Sequence, residues 1–266
     1  MKEYSKSELK TIFNLAEKSL FKTSPLKKNE LEANFKHYKQ LHKKSKSFEE
    51  IYWLIVCVTF YSGFKTATVD DKLVAIKKVL GNYKKVAQYK TNTVNMLLKN
   101  NKIIKHSQKI KACIHNAKQI ILLAKEFKTF EDYKKSFGSL DDEQSLKKFI
   151  KDLRRRFKYL GNITVYHFLT DIGVNVLKPD RVLCRIFFRL GLTKSIKDLF
   201  GVIEQGRKFA IATGHPIRYI DIIFVYYGQL SYKPELDTKA EICTERKPDC
   251  DSCGLTAYCN YFKTKR

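Results

Sequence analysis

Four cysteines near the C-terminal end of the chain have a spacing that could bind a metal centre. Cys243, Cys250, Cys253 and Cys259 follow the pattern C-x6-C-x2-C-x5-C. A [4Fe–4S] cluster needs four thiolates that approach from separate corners, so its ligand loop contains unequal gaps. A structural zinc site usually combines two short cysteine pairs across a longer span, whereas here only Cys250 and Cys253 form a short pair. The spacing favours a [4Fe–4S] cluster, with zinc and disulfides or free thiols as the alternatives.

The remaining cysteines and the N-terminus indicate a cytoplasmic protein. Cys57, Cys113 and Cys184 lie in apolar helical patterns, so we expect them in the core. The total of 7 cysteines is odd and fits a reducing compartment better than a secreted disulfide scaffold. The first residues contain no apolar signal segment, and no apolar run approaches the ~18 residues of a membrane helix.

Positive charge dominates the composition. The 266 residues contain 52 Lys and Arg against 27 Asp and Glu, a formal net charge of +25. Such an excess attracts polyanions and speeds their capture. Nucleic acid is the first partner that this charge indicates and an anionic membrane surface is the second. A surface that is simply rich in lysine is the alternative to both.

The apolar pattern predicts an all-α fold. Hydrophobic residues make up 44% of the chain, which is enough for a sizeable core. No proline lies between Pro25 and Pro179, so long helices can form without interruption. Apolar residues recur at intervals of three and four along residues 110–124 and again along residues 182–190. Strand and hairpin-turn signals are scarce.

Residues 157–192 combine a tight turn with an acidic residue. They read FKYLGNITVYHFLTDIGVNVLKPDRVLCRIFFRLGL, in which one helix ends near Leu160-Gly161 and a second begins near Thr164. Backbone amides in such a turn, together with the positive end of the second helix, can bind a phosphate. Further along, Asp180 follows a proline and precedes a helix that contains three arginines.

This segment resembles the helix–hairpin–helix DNA glycosylases, the superfamily of endonuclease III. In that family an essential aspartate follows the hairpin at about this distance, and many members carry the same C-terminal cysteine spacing. Lys178-Pro179-Asp180 stands where the family's aspartate motif stands, and residues 185–191 resemble the helix that follows it. The resemblance spans roughly residues 48–259. It implies a two-domain helix–hairpin–helix architecture with a C-terminal iron–sulfur cluster loop.

A second resemblance concerns the substrate. Residues 101–117 resemble a stretch of 3-methyladenine DNA glycosylase I, and residues 157–161 resemble the hairpin of that enzyme family. The glutamate of that family's base pocket falls on Val58 here. That family also lacks the catalytic aspartate and the cluster. The two resemblances together favour the removal of alkylated purines such as 3-methyladenine.

The resemblance assigns catalysis to Asp180. A glycosylase flips a base out of the duplex and breaks its N-glycosidic bond, so the sugar develops positive charge. A carboxylate that faces this charge lowers the barrier and can orient the attacking water. Capping of the following helix is the alternative role for Asp180, and both roles are compatible.

The hairpin also predicts the nucleophile. Bifunctional relatives carry a lysine at the start of the second hairpin helix, where it attacks the sugar. Ile163 occupies that position here, which predicts a monofunctional glycosylase that uses water. A weak lyase reaction through Lys158 or Lys178 stays open as the alternative.

The resemblance implies DNA contacts in three places. The hairpin residues expected at phosphates are Lys158, Tyr159, Gly161, Asn162 and Thr164. In the cysteine loop, Arg246 and Lys247 are expected at phosphates, with plain surface charge as the alternative. Tyr61 is expected to fill the gap left by a flipped base, and Phe60 and Phe64 to line the base pocket. Core packing is the alternative for each of these rings.

The hairpin departs from the family's pattern at one position. Tyr159 replaces a glycine, which argues against a metal ion bound at the turn. The neighbouring run Arg154-Arg155-Arg156 would supply the missing positive charge, or else forms a solvated helix face.

We therefore predict an all-α protein of two domains. Residues 45–168 would form a six-helix barrel that ends in the helix–hairpin–helix. Residues 1–44 and 169–266 would form a second helical domain, which contains Asp180 and the cluster loop 243–259. We expect a monofunctional DNA N-glycosylase that acts in base excision repair on damaged double-stranded DNA. The protein would be a cytoplasmic, nucleoid-associated monomer without membrane contact. The alternatives are a glycosylase for mismatched or deaminated bases (uracil, thymine or adenine) and a non-catalytic iron–sulfur DNA-binding protein.

Overall fold

The structure, a computed structural model, describes residues 2–40, 45–230 and 232–264. Within these ranges the chain forms α-helices and short 3-10 turns without a β-strand, apart from one isolated antiparallel bridge between Lys233 and Thr238. The predicted all-α class is confirmed. Among the same residues, no helix is both long and apolar enough to cross a membrane.

The helices follow one another through short connections. In chain order they are α1 (Lys6–Phe21), α2 (Lys28–Phe35), α3 (Phe48–Tyr61), α4 (Thr66–Leu80), α5 (Tyr83–Val86), α6 (Thr91–Lys99), α7 (Ser107–Glu126), α8 (Phe130–Lys135), α9 (Glu143–Arg156), α10 (Thr164–Asp171), α11 (Arg181–Arg189), α12 (Leu199–Thr213), α13 (Ile217–Gly228) and α14 (Asn260–Lys263). Local sequence explains several starts. Ser5 with Glu8, and Ser47 with Glu50, form capping boxes that satisfy the first amides of α1 and α3.

The chain divides into two compact units. One contains the described residues of 44–174, in which α7 packs against α3 and α5, and α10 packs against α3 and α9. Ile110, Cys113 and Ala117 lie on the buried face of α7, as the apolar period predicts. Their burial places α7 at the centre of this unit.

The other unit contains the described residues of 1–43 and 175–266. Here α1 and α11 both pack against α12 and α13. Its core is aromatic: the ring centroid of Phe224 lies 5.2 Å from Phe187, 5.1 Å from Phe209 and 6.0 Å from Phe13. These separations are typical of interacting aromatic pairs.

The division differs from the predicted domain limits. The boundary predicted after residue 168 cuts through α10, which continues to Asp171, and the observed division follows Val174. The reason is that α10 packs along its length on α3 and α9. The first unit contains eight helices, α3 to α10, within its described residues rather than six. The boundary predicted after residue 44 lies outside the described residues.

Candidate functional site

The hairpin between α9 and α10 (residues 157–163) begins earlier than predicted. Helix α9 ends at Arg156, not near Leu160, because Phe157 turns to an extended conformation with φ −109° and ψ 131°. Tyr159 then adopts φ 66°, in the left-handed region that glycine normally occupies. Tyr159 thus adopts a backbone conformation that a glycine adopts more readily.

Two polar side chains hold this turn. The buried Asn116 of α7 accepts a hydrogen bond from the Lys158 amide (2.8 Å) and donates one to the Lys158 carbonyl (3.1 Å). The Thr164 hydroxyl accepts from the Gly161 amide and donates to the Tyr159 carbonyl, both at 2.7 Å. The hairpin is therefore fixed by neutral hydrogen bonds.

These bonds determine which predicted phosphate contacts are available. The Gly161 amide is occupied by Thr164, so it cannot serve a phosphate without breaking that bond. Within the described part of the chain, the amides of Asn162, Ile163 and Thr164 donate to no protein acceptor. The side chains of Lys158 and Asn162 are exposed. A phosphate at the start of α10 would thus find free amides and one free ammonium.

The arginine run before the hairpin is largely engaged in ion pairs. Arg155 Nη2 lies 2.5 Å from Asp152, and Arg156 Nε lies 2.7 Å from the same carboxylate. Arg156 also lies 3.4 Å from Glu126. Arg154 is exposed and has no such partner among the described residues. At most one of the three arginines is free to supply positive charge to a ligand.

A buried lysine connects the hairpin with the predicted wedge segment (residues 59–64). Lys109 is only 3% exposed, and its ammonium donates to the carbonyls of Thr59 and Ser62, the latter at 2.6 Å. It also lies over the rings of Tyr159 (4.5 Å) and Phe64 (5.3 Å). Burial lowers the pKa of this ammonium. Lys109 therefore brings the wedge segment and the hairpin together.

The three predicted pocket aromatics differ in exposure. Phe60 is fully buried, so its ring cannot reach a ligand without rearrangement of the core. Phe64 is half-buried and packs edge-to-face on His106, with a centroid distance of 6.1 Å. Tyr61 is half-buried and its hydroxyl donates to Asp70. Val58 is buried, so no carboxylate stands at the position of the family's pocket glutamate.

Asp180 caps α11 in the other unit. Its Oδ1 accepts from the amides of Val182 (2.9 Å) and Leu183 (3.1 Å). Its Oδ2 lies 3.4 Å from the ammonium of Lys178, and the side chain retains 19% of its exposure. The structure therefore confirms the capping role, and it leaves one carboxylate oxygen without a backbone partner among the described residues.

A second aspartate fixes the turn that precedes Asp180. Asp221 of α13 is buried, accepts from the Lys178 amide (3.1 Å) and pairs with Arg218. Burial raises the pKa of the Asp221 carboxyl, and the Arg218 charge offsets part of that rise. Asp221 is thus a buried residue that holds the turn before Asp180.

The four predicted cysteine ligands share one small cavity. Cys243, Cys250, Cys253 and Cys259 all line it. No group of three or more His, Cys, Asp or Glu side chains in the described residues is close enough to hold a single metal ion.

Hydrogen-bond donors approach three of these sulfurs. Tyr227 donates to Cys253 Sγ (3.1 Å), Arg189 to Cys243 Sγ (3.3 Å) and the Phe262 amide to Cys259 Sγ (3.4 Å). Donors of this kind stabilise thiolates, which are the form that binds iron. Burial raises the pKa of the Cys243 thiol, and Arg189 offsets part of that rise.

Two arginines of α11 hold the cysteine loop (residues 243–259). Arg189 donates to the carbonyls of Thr244 (2.7 Å) and Glu245 (2.9 Å), and Arg185 donates to the Cys243 carbonyl (3.0 Å). Both guanidinium groups therefore serve the loop rather than open solvent. The predicted phosphate contacts Arg246 and Lys247 are exposed, so they are accessible to DNA.

With this geometry described, the protein can be classified. The sequence profile of the methyladenine glycosylase family matches residues 33–181, more than half of the 266-residue chain. The protein belongs to the methyladenine glycosylase family. The match covers the hairpin and ends one residue after Asp180, whereas the cysteine loop lies outside it.

Several solved structures resemble parts of the chain. A structure of 3-methyladenine DNA glycosylase I is 22% identical, with 53% of this chain and 88% of that chain covered and a TM-score of 0.44. A structure of the same enzyme from Staphylococcus aureus, which describes its recognition of 3-methyladenine, is 19% identical over 53% and 85% of the two chains, with a TM-score of 0.45.

Sequence reasoning missed the side chains that hold the site together. Lys109 and Asn116 were noticed only within a resembling stretch, without a role. Both lie on the apolar face of α7, beside Cys113 and Ile120. A polar residue at a buried helical position must find hydrogen-bond partners, and this is the signal that could have identified them.

Proposed function

We propose that the protein is a monofunctional DNA N-glycosylase that removes alkylated purines such as 3-methyladenine. The observation that carries this proposal is membership of the methyladenine glycosylase family over residues 33–181. A net charge of +25 supports DNA as the polymer on which it acts. Asp180 lies at the C-terminal end of the matched range and the cysteine loop lies outside it, so the catalytic role of Asp180 and the cluster belong to the proposal alone.

In the proposed reaction, Asp180 stabilises the sugar as the base departs. The N-glycosidic bond breaks, the bonding electrons leave with the base, and the sugar becomes cationic. The Oδ2 oxygen of Asp180 has no backbone donor among the described residues, so it could face this charge while Oδ1 caps α11. A fixed negative charge at a developing cation lowers the barrier. Water then adds to the sugar and releases a proton.

The leaving group makes the missing pocket glutamate tolerable. A purine alkylated at N3 already carries positive charge, so it departs as a neutral base without protonation by the enzyme. Val58 supplies no acid, and we assign none to the pocket. A neutral base such as uracil needs more help on leaving. This leaving-group chemistry supports the proposal of cationic substrates rather than deaminated or mismatched bases.

Hairpin and loop would bind the DNA backbone. We propose that the amides of Asn162, Ile163 and Thr164 bind one phosphate, with the Lys158 ammonium beside it. Arg246 and Lys247 would contact further phosphates. Tyr61 and Phe64 are the remaining candidates for the wedge and the pocket wall, since both keep exposed ring surface. Ile163 cannot form an imine, so water is the proposed nucleophile.

We propose that the cysteine loop holds a [4Fe–4S] cluster. Four thiols around one cavity and three hydrogen-bond donors at the sulfurs fit this group. Bound there, the cluster would cross-link residues 243–259. Iron and sulfide analysis of protein purified without oxygen would test the assignment, and stoichiometric zinc without sulfide would contradict it.

The decisive experiment measures bases released from methylated, deaminated and mismatched duplexes. We expect 3-methyladenine release by the native protein and a loss of roughly 100-fold or more in Asp180→Asn. DNA affinity should persist, because the amide oxygen still caps α11. Release of uracil, thymine or adenine instead would support the alternative substrates.

Asp198→Asn is the matched control for this variant. Asp198 caps α12 through a 2.9 Å bond from the Gly201 amide, so the same substitution perturbs a cap without touching the proposed chemistry. If the two variants released bases at equal rates, Asp180 would act only as a helix cap and would have no role in base removal. No base release from any duplex, with DNA binding intact, would support the non-catalytic DNA-binding alternative.

A further inference from the structure

A cavity of about 850 Å³ opens beside α11 and the C-terminal residues of the same unit. Volumes of roughly 300–1,000 Å³ are typical of small-molecule sites. Its lining includes neither Asp180 nor any residue of the hairpin or the wedge segment. The cavity is therefore separate from the residues assigned to base removal.

The wall of this cavity is strongly cationic. It contains five basic side chains against a single acid, Glu245; the five are Lys2, Arg181, Arg185, Arg189 and Lys194. Arg185 and Arg189 hold the cysteine loop, but Arg181 and Lys194 are exposed, and neither makes an ion pair or hydrogen bond among the described residues. Two exposed cations without protein partners among the described residues can bind an anion.

Two buried polar atoms in the same wall have no partner. Thr193 is only 3% exposed, and its hydroxyl makes no hydrogen bond within the described residues. The Nε of Arg185 is likewise buried and unpaired there, although Nη2 of the same guanidinium group donates to the carbonyls of Gly228 and Cys243. A buried donor without an acceptor costs free energy, so such atoms are usually satisfied by a ligand or water.

The remaining wall is apolar and exposed. Phe188 keeps 44% of its surface and Ile196 55%. The ring of Tyr261 lies 4.1 Å beneath the Arg189 guanidinium. A flat aromatic group could cover these surfaces, since stacking on aromatic side chains is how proteins hold nucleobases.

We propose that this cavity binds a nucleoside phosphate. The phosphate would pair with Arg181 and Lys194 at the rim, and the base would cover Phe188 and Ile196. The Thr193 hydroxyl and Arg185 Nε would bond to oxygen or nitrogen atoms of the ligand. The nucleotide can be free in solution or part of a DNA strand, and the two sources share this chemistry.

Isothermal titration calorimetry on the full-length protein tests the proposal. The ligands are dAMP, inorganic phosphate and a short single-stranded oligonucleotide, none with a damaged base, so the result is independent of base removal. We expect dAMP to bind more tightly than phosphate. Arg181→Glu with Lys194→Glu should weaken dAMP binding by about tenfold or more. Thr193→Val should weaken it several-fold without lowering the melting temperature, because it removes an unpaired buried hydroxyl.

The matched control is Lys10→Glu with Lys239→Glu, which changes the net charge equally at exposed residues outside the cavity. It should bind dAMP within about twofold of the native protein. Cavity-dependent binding of the oligonucleotide alone would identify a DNA strand as the source. Equal losses in the control and cavity variants, equal affinity for phosphate and dAMP, or no cavity-dependent binding of either nucleotide ligand would each overturn the proposal.

Discussion

The hairpin and the cysteine loop are both tight backbone segments, but they are fixed by different chemistry. In the hairpin, a neutral amide and a hydroxyl (Asn116 and Thr164) satisfy the backbone. In the cysteine loop, the guanidinium groups of Arg185 and Arg189 do so. The hairpin therefore leaves its nearby ammonium, Lys158, free. The loop uses two cations internally, and only its outer pair, Arg246 and Lys247, stays exposed.

Two of the three arginines of α11, Arg185 and Arg189, therefore support the cysteine loop, whereas Arg181 is exposed. The family match covers the hairpin but ends at residue 181, before the arginines that hold the loop. Planar guanidinium groups bond several carbonyls at once, which suits a loop with little regular structure. A turn of only seven residues needs fewer donors, and the neutral side chains of its neighbours are sufficient.

The largest expected effect follows from removing the charged support of the loop. Arg189→Leu leaves the Thr244 carbonyl buried without its donor, so we expect the free energy of unfolding to fall by about 2–4 kcal/mol. Chemical denaturation would measure this. Arg207→Leu is the control, because Arg207 also bonds a carbonyl, that of Asn175 at 2.9 Å, but at an exposed position. If both variants lost equal stability, the loop would not depend on Arg189.

The corresponding change at the hairpin is Asn116→Ala. It removes both bonds to the Lys158 backbone from a buried site, so we expect a loss of about 1–3 kcal/mol. DNA binding should weaken as well, because the turn would no longer be held. Asn162→Ala, at an exposed hairpin position, should change stability by less than ~0.5 kcal/mol. If Asn116→Ala were as stable as the native protein, the hairpin would not depend on the hydrogen bonds of this neutral side chain.

Sequence predicted the helices well because their signals are local. The apolar period along α7 and the capping role of Asp180 both depend on residues within one or two turns. The end of α9 was placed too late, since nothing local requires Tyr159 to adopt a positive φ. Asn116, which lies 42 residues before Lys158 in the sequence, binds the Lys158 backbone next to Tyr159, and a local sequence pattern does not reveal such a contact.

The roles of charged residues were harder to predict for the same reason. Arg185 and Arg189 were seen only as part of a family-like helix, whereas their partners lie more than 50 residues later in the cysteine loop. Phe60 was expected at the base pocket, yet it is fully buried. A step of one residue rotates a side chain by about 100° around a helix and decides whether it faces the core. The sequence pattern of α3 is apolar on several sides, so it does not identify the buried face.

Lys109→Met tests the contact between the hairpin and the wedge segment. Methionine keeps the volume but loses the bonds to the Thr59 and Ser62 carbonyls, so we expect a loss of about 1 kcal/mol. Exposed Lys111 on the same helix provides the control, Lys111→Met, which should be nearly neutral. Urea denaturation of both variants measures the difference. An equal result would exclude a structural role for the buried ammonium.

The pH dependence of stability provides a sharper measure of the same lysine. Burial lowers the pKa of Lys109 from its usual 10.5, so the unfolded chain binds more protons just below that pH. The free energy of unfolding contributed by this residue therefore rises as pH increases towards 10.5. Lys109→Met should flatten this rise and Lys111→Met should preserve it. An unchanged slope in Lys109→Met would mean that the ammonium is not desolvated.

The smallest effects concern the exposed cations that the two regions leave available. Each phosphate contact contributes about 0.9 to the slope of log affinity against log salt for duplex DNA. We expect Lys158→Ala to lower the slope by about one contact and the pair Arg246→Ala with Lys247→Ala by about two. Lys118→Ala, at an exposed position of α7, is the control. If the slope falls in the Lys158→Ala variant but not in the Arg246→Ala, Lys247→Ala variant, the cysteine loop contacts no phosphate. It would then be a structural element only, which its arginines hold in place.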